Sequence, residues 1–270
     1  MRTLTTMAAL ALLAGCTGET PTPRDASQAR DGAGRDRQIV DLPLTDGPKI
    51  TDGATRDGPV TPGDSSPAPD KGDAFPPVSG KATYYDADGS GNCSFPASPQ
   101  DLMVAALNTP DYNGSQSCGG CVLVQGPSGS VTVRIVDRCP GCSQGHIDLS
   151  KQAFAKIADL ALGVVPVTWQ FVPCTVQGPL RYHFKSGSNQ WWSAIQVRNH
   201  RYPVKTLEAQ VGGPFVAINR ELYNYFVYSA GLGPGPYTLR VTDVLGHVLT
   251  DTNIPFQENQ EVPGAAQFPP

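Results

Sequence analysis

The placement of cysteine is the feature that most restricts how this chain can fold. Of its seven cysteines, six lie between Cys93 and Cys174, and the seventh, Cys16, lies near the N-terminus. An even number of cysteines in one short region of an exported protein predicts three disulfides and a small domain. The alternative is a zinc site, because Cys-x-x-Cys pairs occur at 118–121 and 139–142. The spacing alone leaves both interpretations open.

The N-terminus indicates export. Arg2 precedes the short apolar run 7–13, which is too short to span a bilayer as a lasting helix. The run ends in Leu-Ala-Gly-Cys at 13–16, which resembles a bacterial lipobox and predicts lipid attachment at Cys16. The alternative is an ordinary signal peptide. We therefore expect residues 1–16 to be a lipoprotein signal peptide and the protein to be extracellular or attached to the surface of a bacterium.

Residues 17–77 have the composition of a disordered linker. They are rich in Pro, Gly, Asp, Thr and Ser, and they repeat Asp-Gly units without apolar periodicity. Such a segment buries too little apolar surface to offset the entropy of ordering its backbone. Calcium binding is the alternative, but the spacing of calcium-binding nonapeptide repeats is absent.

From residue 78 to 175 the pattern is that of a small β domain. Short apolar or alternating segments are separated by Gly and Pro, and 126–129 (Gly-Pro-Ser-Gly) is typical of a hairpin turn. Residues 102–107 fit either a strand or one helical turn. Many short strands with one clear helix favour a barrel. The predicted strands are 81–85, 121–125, 131–136 and 166–172.

Residues 131–150 place two acids at the ends of structured elements. A strand with period-2 alternation ends at Asp137, and the Asp148 carboxylate lies between two large apolar residues. Partial desolvation should raise the pKa of Asp148 and suit it to donate a proton. Ser150 is placed to cap a helix predicted over 151–158.

From residue 176 to 257 the composition and the pattern of the sequence change. Cysteine is absent and seven β-type segments follow one another between turn residues, which favours an immunoglobulin-like β-sandwich. The junction at 174–179 is too short for a flexible linker, so the two domains should pack together. The Pro- and Gln-rich tail 258–270 is expected to be only partly ordered.

Taken together, the segments 80–85, 131–150, 164–169 and 185–203 resemble the expansin family and its relatives, the family-45 endoglucanases, barwin-like proteins and rare lipoprotein A. The resemblance runs from about residue 78 to 256. It implies a mainly β protein, with a six-stranded double-psi β-barrel followed by a carbohydrate-binding β-sandwich. It also implies the disulfides Cys93–Cys118, Cys121–Cys174 and Cys139–Cys142 rather than zinc ligation.

The resemblance points to Thr83, Tyr84, Asp137 and Asp148 as residues of a polysaccharide-binding groove on the barrel. Each acid also has a structural interpretation. Asp148 could interact with a helix dipole, and Asp137 could hold the loop that follows its strand.

A hydrolase is the main alternative function. Inverting glycosidases need two carboxyls about 6.5–9.5 Å apart, one as general acid and one as general base. The resemblance to the endoglucanases puts Asp148 in the position of the acid. Expansins lack the base of the endoglucanases, but Asp86 lies near that position here. Asp86 also opens an Asp-Ala-Asp-Gly sequence typical of a turn, which favours a loop.

In the second domain, Trp191 and Trp192 resemble the flat aromatic strip with which the family stacks on cellulose, with Tyr223 as the third aromatic and Lys185 beside it. Two indoles and a phenol suit the apolar faces of pyranose rings. The alternative is that adjacent strand residues face opposite sides, so that one Trp lies in the core.

The net charge and the sequence motifs limit the classes of partner that we expect the protein to bind. The net charge of −4 argues against nucleic acid and favours a neutral glucan. Nucleotide-binding glycine motifs are absent, and we expect no cofactor and no metal. The predicted partners are cellulose and related β-glucans, with xyloglucan or peptidoglycan as further possibilities. We expect a monomer that contacts the membrane only through its N-terminal lipid.

The predicted function is non-hydrolytic loosening of cellulose-rich plant cell walls. The alternatives are a weak endoglucanase, a peptidoglycan lytic enzyme and a pure binding module.

Overall fold

The structure is a computed structural model that describes residues 75–270, all of which belong to one compact unit. The predicted signal peptide, its lipid-bearing Cys16 and nearly all of the linker 17–77 lie outside the described residues. Within 75–270, no helix combines the length and the apolar character needed to cross a membrane.

The first half of the described chain forms a closed six-stranded barrel. Around the barrel the order is β1-β5-β2-β4-β3-β6, and β6 pairs back onto β1. Two pairs, β1–β5 and β2–β4, are parallel, and the others are antiparallel. The strands are β1 (Val78–Tyr85), β2 (Val104–Asn108), β3 (Cys121–Gly126), β4 (Gly129–Cys139), β5 (Ile147–Ser150) and β6 (Val165–Val172).

The barrel differs from the predicted elements in detail. The ambiguous segment 102–107 is strand β2, and β4 continues beyond its predicted end at Asp137 to Cys139. The hairpin at 126–129 is confirmed, since Gly126 pairs with Gly129. Two short helices, α1 (Thr109–Tyr112) and α2 (Lys151–Phe154), lie outside the sheet.

The predicted helix 151–158 is shortened to α2. Ser150 caps it as expected, because its hydroxyl accepts a hydrogen bond from the Ala153 amide at 3.0 Å. Hydrogen-bonded turns continue beyond α2, and the Ala158 amide donates to the Phe154 carbonyl at 3.0 Å. Ile157 and Ala158, at the predicted apolar positions, are buried against the barrel core.

All six cysteines of the barrel are oxidised, in the pairing that the family resemblance implies. The pairs are Cys93–Cys118, Cys121–Cys174 and Cys139–Cys142. Because the first Cys-x-x-Cys sequence is divided between two disulfides and the second forms its own, the cysteines are not available as zinc ligands. The zinc interpretation is therefore wrong.

The second half is a sandwich of two antiparallel sheets, which confirms the predicted fold class. The first sheet has the order β10-β9-β13-β14 and the second β11-β12-β8-β7-β15. A core of aromatic and aliphatic residues lies between them. The strands are β7 (Arg181–Phe184), β8 (Ser193–Arg198), β9 (Val204–Gln210), β10 (Phe215–Ala217), β11 (Asn219–Arg220), β12 (Phe226–Tyr228), β13 (Tyr237–Asp243), β14 (Val248–Ile254) and β15 (Glu261–Pro263).

The expectation of a partly ordered tail at 258–270 is wrong. Strand β15 pairs with β7 at the edge of the sheet, with Val262 opposite Tyr182. Phe268 is buried in the core of the sandwich. The Pro and Gln content of the tail hid these two apolar anchors, whose burial offsets the entropy of ordering the segment.

We predict that the disulfide between Cys121 and Cys174 makes the largest contribution of the three disulfides to the stability of the fold. Its cysteines are 53 residues apart in sequence, so a chain-entropy estimate gives about 4 kcal/mol. Replacing both cysteines by Ala should lower Tm by roughly 10 °C in a thermal melt. The matched control is the double Ala variant of Cys139 and Cys142, whose separation of 3 gives about 2 kcal/mol. An equal or larger loss of Tm in the control would contradict the prediction.

Candidate functional site

Four strands of the barrel place their side chains in one row on its outer surface. In register across β1, β5, β2 and β4 lie Thr83, Asp148, Ala106 and Asp137. Residues directly opposite one another in paired strands share a face of the sheet. The small Ala106 therefore separates the two acids, whose Cα atoms lie two strand spacings, about 10 Å, apart. We call the surface formed by this row of four residues the groove.

Asp148 is the centre of a short hydrogen-bond chain. The Thr83 hydroxyl donates to Asp148 Oδ1 at 2.5 Å, and its oxygen lies 2.8 Å from His146 Nε2. Because the single hydroxyl proton goes to the carboxylate, Nε2 must donate to the hydroxyl. The chain thus links the carboxyl to an imidazole through one side chain.

The surroundings of this hydrogen-bond chain shift the pKa values of both Asp148 and His146. Burial raises the pKa of Asp148, against the opposing effects of the Thr83 hydrogen bond and His146; the Asp137 charge adds to the rise. Burial, followed by the Lys81 charge, lowers the pKa of His146. A neutral imidazole thus lies near a carboxyl that keeps its proton to higher pH, which is the arrangement of a proton donor.

Asp137 is held by backbone amides. Its Oδ1 accepts hydrogen bonds from the Asn92 amide at 2.6 Å and from the Arg138 amide at 2.8 Å. The chain approaches so closely here that a Cβ on Gly91 would lie 2.5 Å from the Asp137 side chain. Asp137 therefore fixes the loop that leads into Asn92, in addition to facing the groove.

The two tyrosines of β1 point to opposite sides. Tyr84 lies on the core side, with its ring centroid 5.0 Å from that of Phe154, and its hydroxyl donates to the Leu160 carbonyl at 3.2 Å. Tyr85 lies on the groove side with Thr83, since alternate residues share a face. Its buried hydroxyl has no hydrogen-bond partner among the described residues. Burial, with the charges of nearby acids, raises its pKa.

Asp86 lies outside this arrangement. Its carboxylate pairs with Lys151 Nζ at 2.6 Å at the start of α2, and its side chain is largely exposed to solvent. The interpretation of Asp86 as a loop residue agrees with this position.

Both tryptophans of the second domain lie on a turn before β8 rather than on a strand. Asn189 Oδ1 accepts hydrogen bonds from the amides of Trp191 and Trp192, at 2.9 and 3.1 Å. Trp191 is 71% exposed and Trp192 is partly exposed, so neither indole is in the core. Gly231 supports the turn, because a Cβ there would lie 2.3 Å from the Trp191 Cα.

The other two predicted residues of this surface lie on the same sheet. Lys185 follows β7, and its amide donates to the Ala194 carbonyl at 2.9 Å. Tyr223 precedes β12 and packs beside Tyr225, with ring centroids 5.9 Å apart. We call Trp191, Trp192 and Tyr223 the aromatic surface.

Comparison with known proteins decides the family. A family model described as lytic transglycolase matches residues 104–169, within the barrel. Expansin-YoaJ of Bacillus subtilis (strain 168) is 37% identical over 200 residues, which cover 70% of this chain and 86% of that protein. The chain belongs to the expansin family.

Other expansins agree in sequence and in fold. Expansin-like protein 1 of Dictyostelium discoideum is 31% identical over 206 residues, covering 71% of this chain and 72% of that protein. The crystal structure of the Clavibacter michiganensis expansin superposes with a TM-score of 0.68 at 33% identity, covering 72% of this chain and 98% of that one. A second structure of that protein is a mutant in complex with cellohexaose. The barrel of this expansin is accordingly the double-psi β-barrel.

In this expansin, hydrogen bonds join the groove to the sandwich. Asn92, whose amide binds Asp137, also donates from Nδ2 to the Leu222 carbonyl at 2.9 Å. Tyr112 donates to the same carbonyl at 2.8 Å. Leu222 directly precedes Tyr223, so a short bonded path connects the acid of the groove to an aromatic residue of the sandwich.

Three residues of this region were not assigned from the sequence. His146 lies two residues before Asp148, Tyr85 lies two after Thr83, and Asn92 lies in a loop. Strand alternation could have identified Tyr85, because the period of 2 puts it on Thr83's side. The bridging role of Asn92 depends on contacts with Leu222, 130 residues away, which local patterns do not reveal.

The raised pKa of Asp148 predicts that its charge costs stability. An Asp whose folded pKa lies above its unfolded value of about 3.9 favours folding below that value, and this contribution is lost as pH rises through the folded pKa. Asp148→Asn, which keeps an acceptor for Thr83, should therefore gain Tm relative to the unsubstituted protein as pH rises from 3 to 8. Thermal melts at several pH values measure the difference.

Gln152→Ala is the control for this series, since Gln152 is an exposed residue of α2 whose side chain does not titrate. Its Tm difference from the unsubstituted protein should therefore not depend on pH. A Tm difference for Asp148→Asn that is flat with pH, or that falls as pH rises, would contradict the proposed environment of Asp148.

Proposed function

We propose that this protein loosens cellulose-rich plant-type walls without hydrolysing them, by binding a β-glucan along the groove and the aromatic surface. The observation that carries the proposal is the bonded path from Asp137 through Asn92 to Leu222, which ties the two surfaces into one body. A rigid pair of surfaces can grip one extended chain at both ends at a low entropic cost. The cellohexaose complex of the Clavibacter expansin supports a β-1,4-glucan as ligand.

The state of the acids supports a non-hydrolytic action. Hydrolysis with inversion needs a base that is free to activate a water molecule, in addition to the acid. Asp137 accepts two backbone amides on one oxygen, and Asp86 is paired with Lys151. Asp148 is then the carboxyl that handles a proton, and its hydrogen bonds with sugar hydroxyls would compete with those inside the cellulose packing.

A lytic reaction on peptidoglycan is the second candidate. The observations that favour it are the match of 104–169 to the lytic transglycolase model and the raised pKa of Asp148. A reaction that needs a single proton-handling carboxyl could use Asp148 alone. Xyloglucan is a further candidate ligand of the same surfaces. Export and lipid attachment at Cys16 belong to the same proposal and rest on residues 1–16 of the sequence.

A paired assay separates these functions. The purified protein is incubated with cellulose and with peptidoglycan while soluble reducing ends and muropeptides are measured, and the extension of a cellulosic wall strip under load is recorded in parallel. We expect extension without soluble products. Soluble products that disappear in Asp148→Asn would identify a lytic enzyme instead. Binding with neither extension nor products would leave a pure binding module.

The aromatic surface makes a second prediction. The double variant Trp191→Ala/Trp192→Ala should weaken binding to cellulose by about tenfold or more, because exposed aromatic side chains dominate such contacts. Depletion isotherms on microcrystalline cellulose measure the loss. Tm should stay nearly unchanged, since neither indole belongs to the core of the sandwich.

The matched control removes exposed apolar side chains from the barrel, where Leu162 and Val164 are 58% and 50% exposed. The double variant Leu162→Ala/Val164→Ala should bind cellulose as the unsubstituted protein does. An unchanged isotherm for the tryptophan variant would refute the assignment of the aromatic surface.

A further inference from the structure

A second concave region lies at the junction of the two domains. It is a cleft of about 710 Å³, and its lining includes none of the residues assigned to the groove or to the aromatic surface. This volume is within the range of small-molecule sites. The barrel contributes Phe95, Asp101 and Arg134 to its walls, and the sandwich contributes Arg181, Arg198 and Glu261.

The positive charges of the cleft are only partly compensated. Arg198 Nη1 donates to Glu261 Oε1 at 2.5 Å and is largely buried. That contact occupies the carboxylate, and Arg181 lies 4.0 Å from its other oxygen. Arg134 has Asp101 as its nearest carboxylate, also at 4.0 Å. Two guanidinium groups, one on each domain, therefore keep donors free for a ligand.

The position of Arg134 makes this incomplete compensation costly. Its side chain is 30% exposed and lies over the Phe95 ring, 5.3 Å from the centroid. Burial lowers the pKa of Arg134, and the nearby charge of Arg198 lowers it further, against the opposing effect of Asp101. A partly desolvated cation without a close counter-ion is unfavourable, so an anion in the cleft would be stabilised.

His200 does not add to the charge of the cleft. It is buried in the wall, and burial lowers its pKa to about 4, so it is neutral at neutral pH. The charged groups of the wall are then three guanidiniums and two carboxylates. This balance accommodates one negative charge rather than two.

We propose that this cleft binds a hexuronate, a sugar unit that carries one carboxylate. The carboxylate would bridge Arg134 and Arg181, which lie on opposite domains and offer planar pairs of donors. Asp101 and Glu261 would accept hydrogen bonds from ring hydroxyls. A phosphate dianion fits less well, because it supplies no hydroxyl donors for the two carboxylates and a second negative charge is repelled by them.

The test uses the purified protein and isothermal titration calorimetry with trigalacturonate and with a glucuronate-substituted xylotriose, which distinguish the two plant-type sources of hexuronate. Neutral cellotriose and inorganic phosphate are titrated for comparison. We expect at least one of the acidic sugars to bind more tightly than cellotriose and phosphate. Arg134→Gln and Arg181→Gln should each weaken that binding by about tenfold, which is the typical loss for one charge-assisted contact.

The matched control is Lys156→Gln/Lys205→Gln, which removes one exposed positive charge from each domain outside the cleft. It should leave hexuronate affinity unchanged, whereas Arg134→Gln/Arg181→Gln should abolish it. Equal losses in the two double variants would mean non-specific attraction and overturn the proposal. Retained binding in the arginine variant, or phosphate binding as tight as the acidic sugar, would also overturn it.

Adsorption to cellulose is measured beside the titrations. We expect it to be the same for the arginine double variant and the unsubstituted protein, because the aromatic surface is intact. Failure of the cleft proposal is thereby distinguished from failure of the proposed cellulose binding. Tm of each variant confirms that the junction stays folded.

Discussion

The close approach of two glycines allows the parallel pairing of β1 and β5 on which the groove depends. A Cβ on Gly80 would lie 2.0 Å from the Gly145 carbonyl oxygen, so the backbone can pass there only without a side chain. The same carbonyl accepts a hydrogen bond from the Trp169 indole at 2.8 Å, which fixes the turn before β5. This contact sets the register that puts Thr83 opposite Asp148. Shifting that register by one residue would turn the carboxyl into the core.

Polar contacts with backbone carbonyls are one of the means by which the barrel and the sandwich are joined. The Cys93 carbonyl accepts from Gln196 at 2.8 Å and from Asn224 at 3.2 Å, and a disulfide holds Cys93 itself in place. Across the same junction, the hydroxyl of Ser115 donates to the Glu221 carbonyl at 2.7 Å. Hydrogen bonds of this kind are directional, so they fix the angle between the domains as well as their contact. The position of the groove relative to the aromatic surface is fixed in the same way, because one lies on the barrel and the other on the sandwich.

Sequence patterns were sufficient for what depends on neighbours in the chain. The alternation at 131–136, the Gly-Pro-Ser-Gly hairpin and the cap at Ser150 each follow from local chemistry, and each is present. The family resemblance supplied the disulfide pairing, which spacing could not. The patterns failed where distant contacts decide: Phe268 orders the tail, and Asn189 holds both tryptophans on a turn, although adjacent residues on a strand would have faced opposite sides.

Phe75, the first described residue, lies at the seam between the two domains. Its ring centroid is 5.8 Å from that of Phe171 on the barrel and 6.4 Å from that of Tyr202 on the sandwich. Strand β1 begins only three residues later, at Val78. A pulling force applied to the chain before Phe75 therefore acts first on aromatic contacts with both domains, and only then on strand β1. These contacts distribute the force over the barrel and the sandwich, so that it is not borne by the hydrogen bonds of β1 alone.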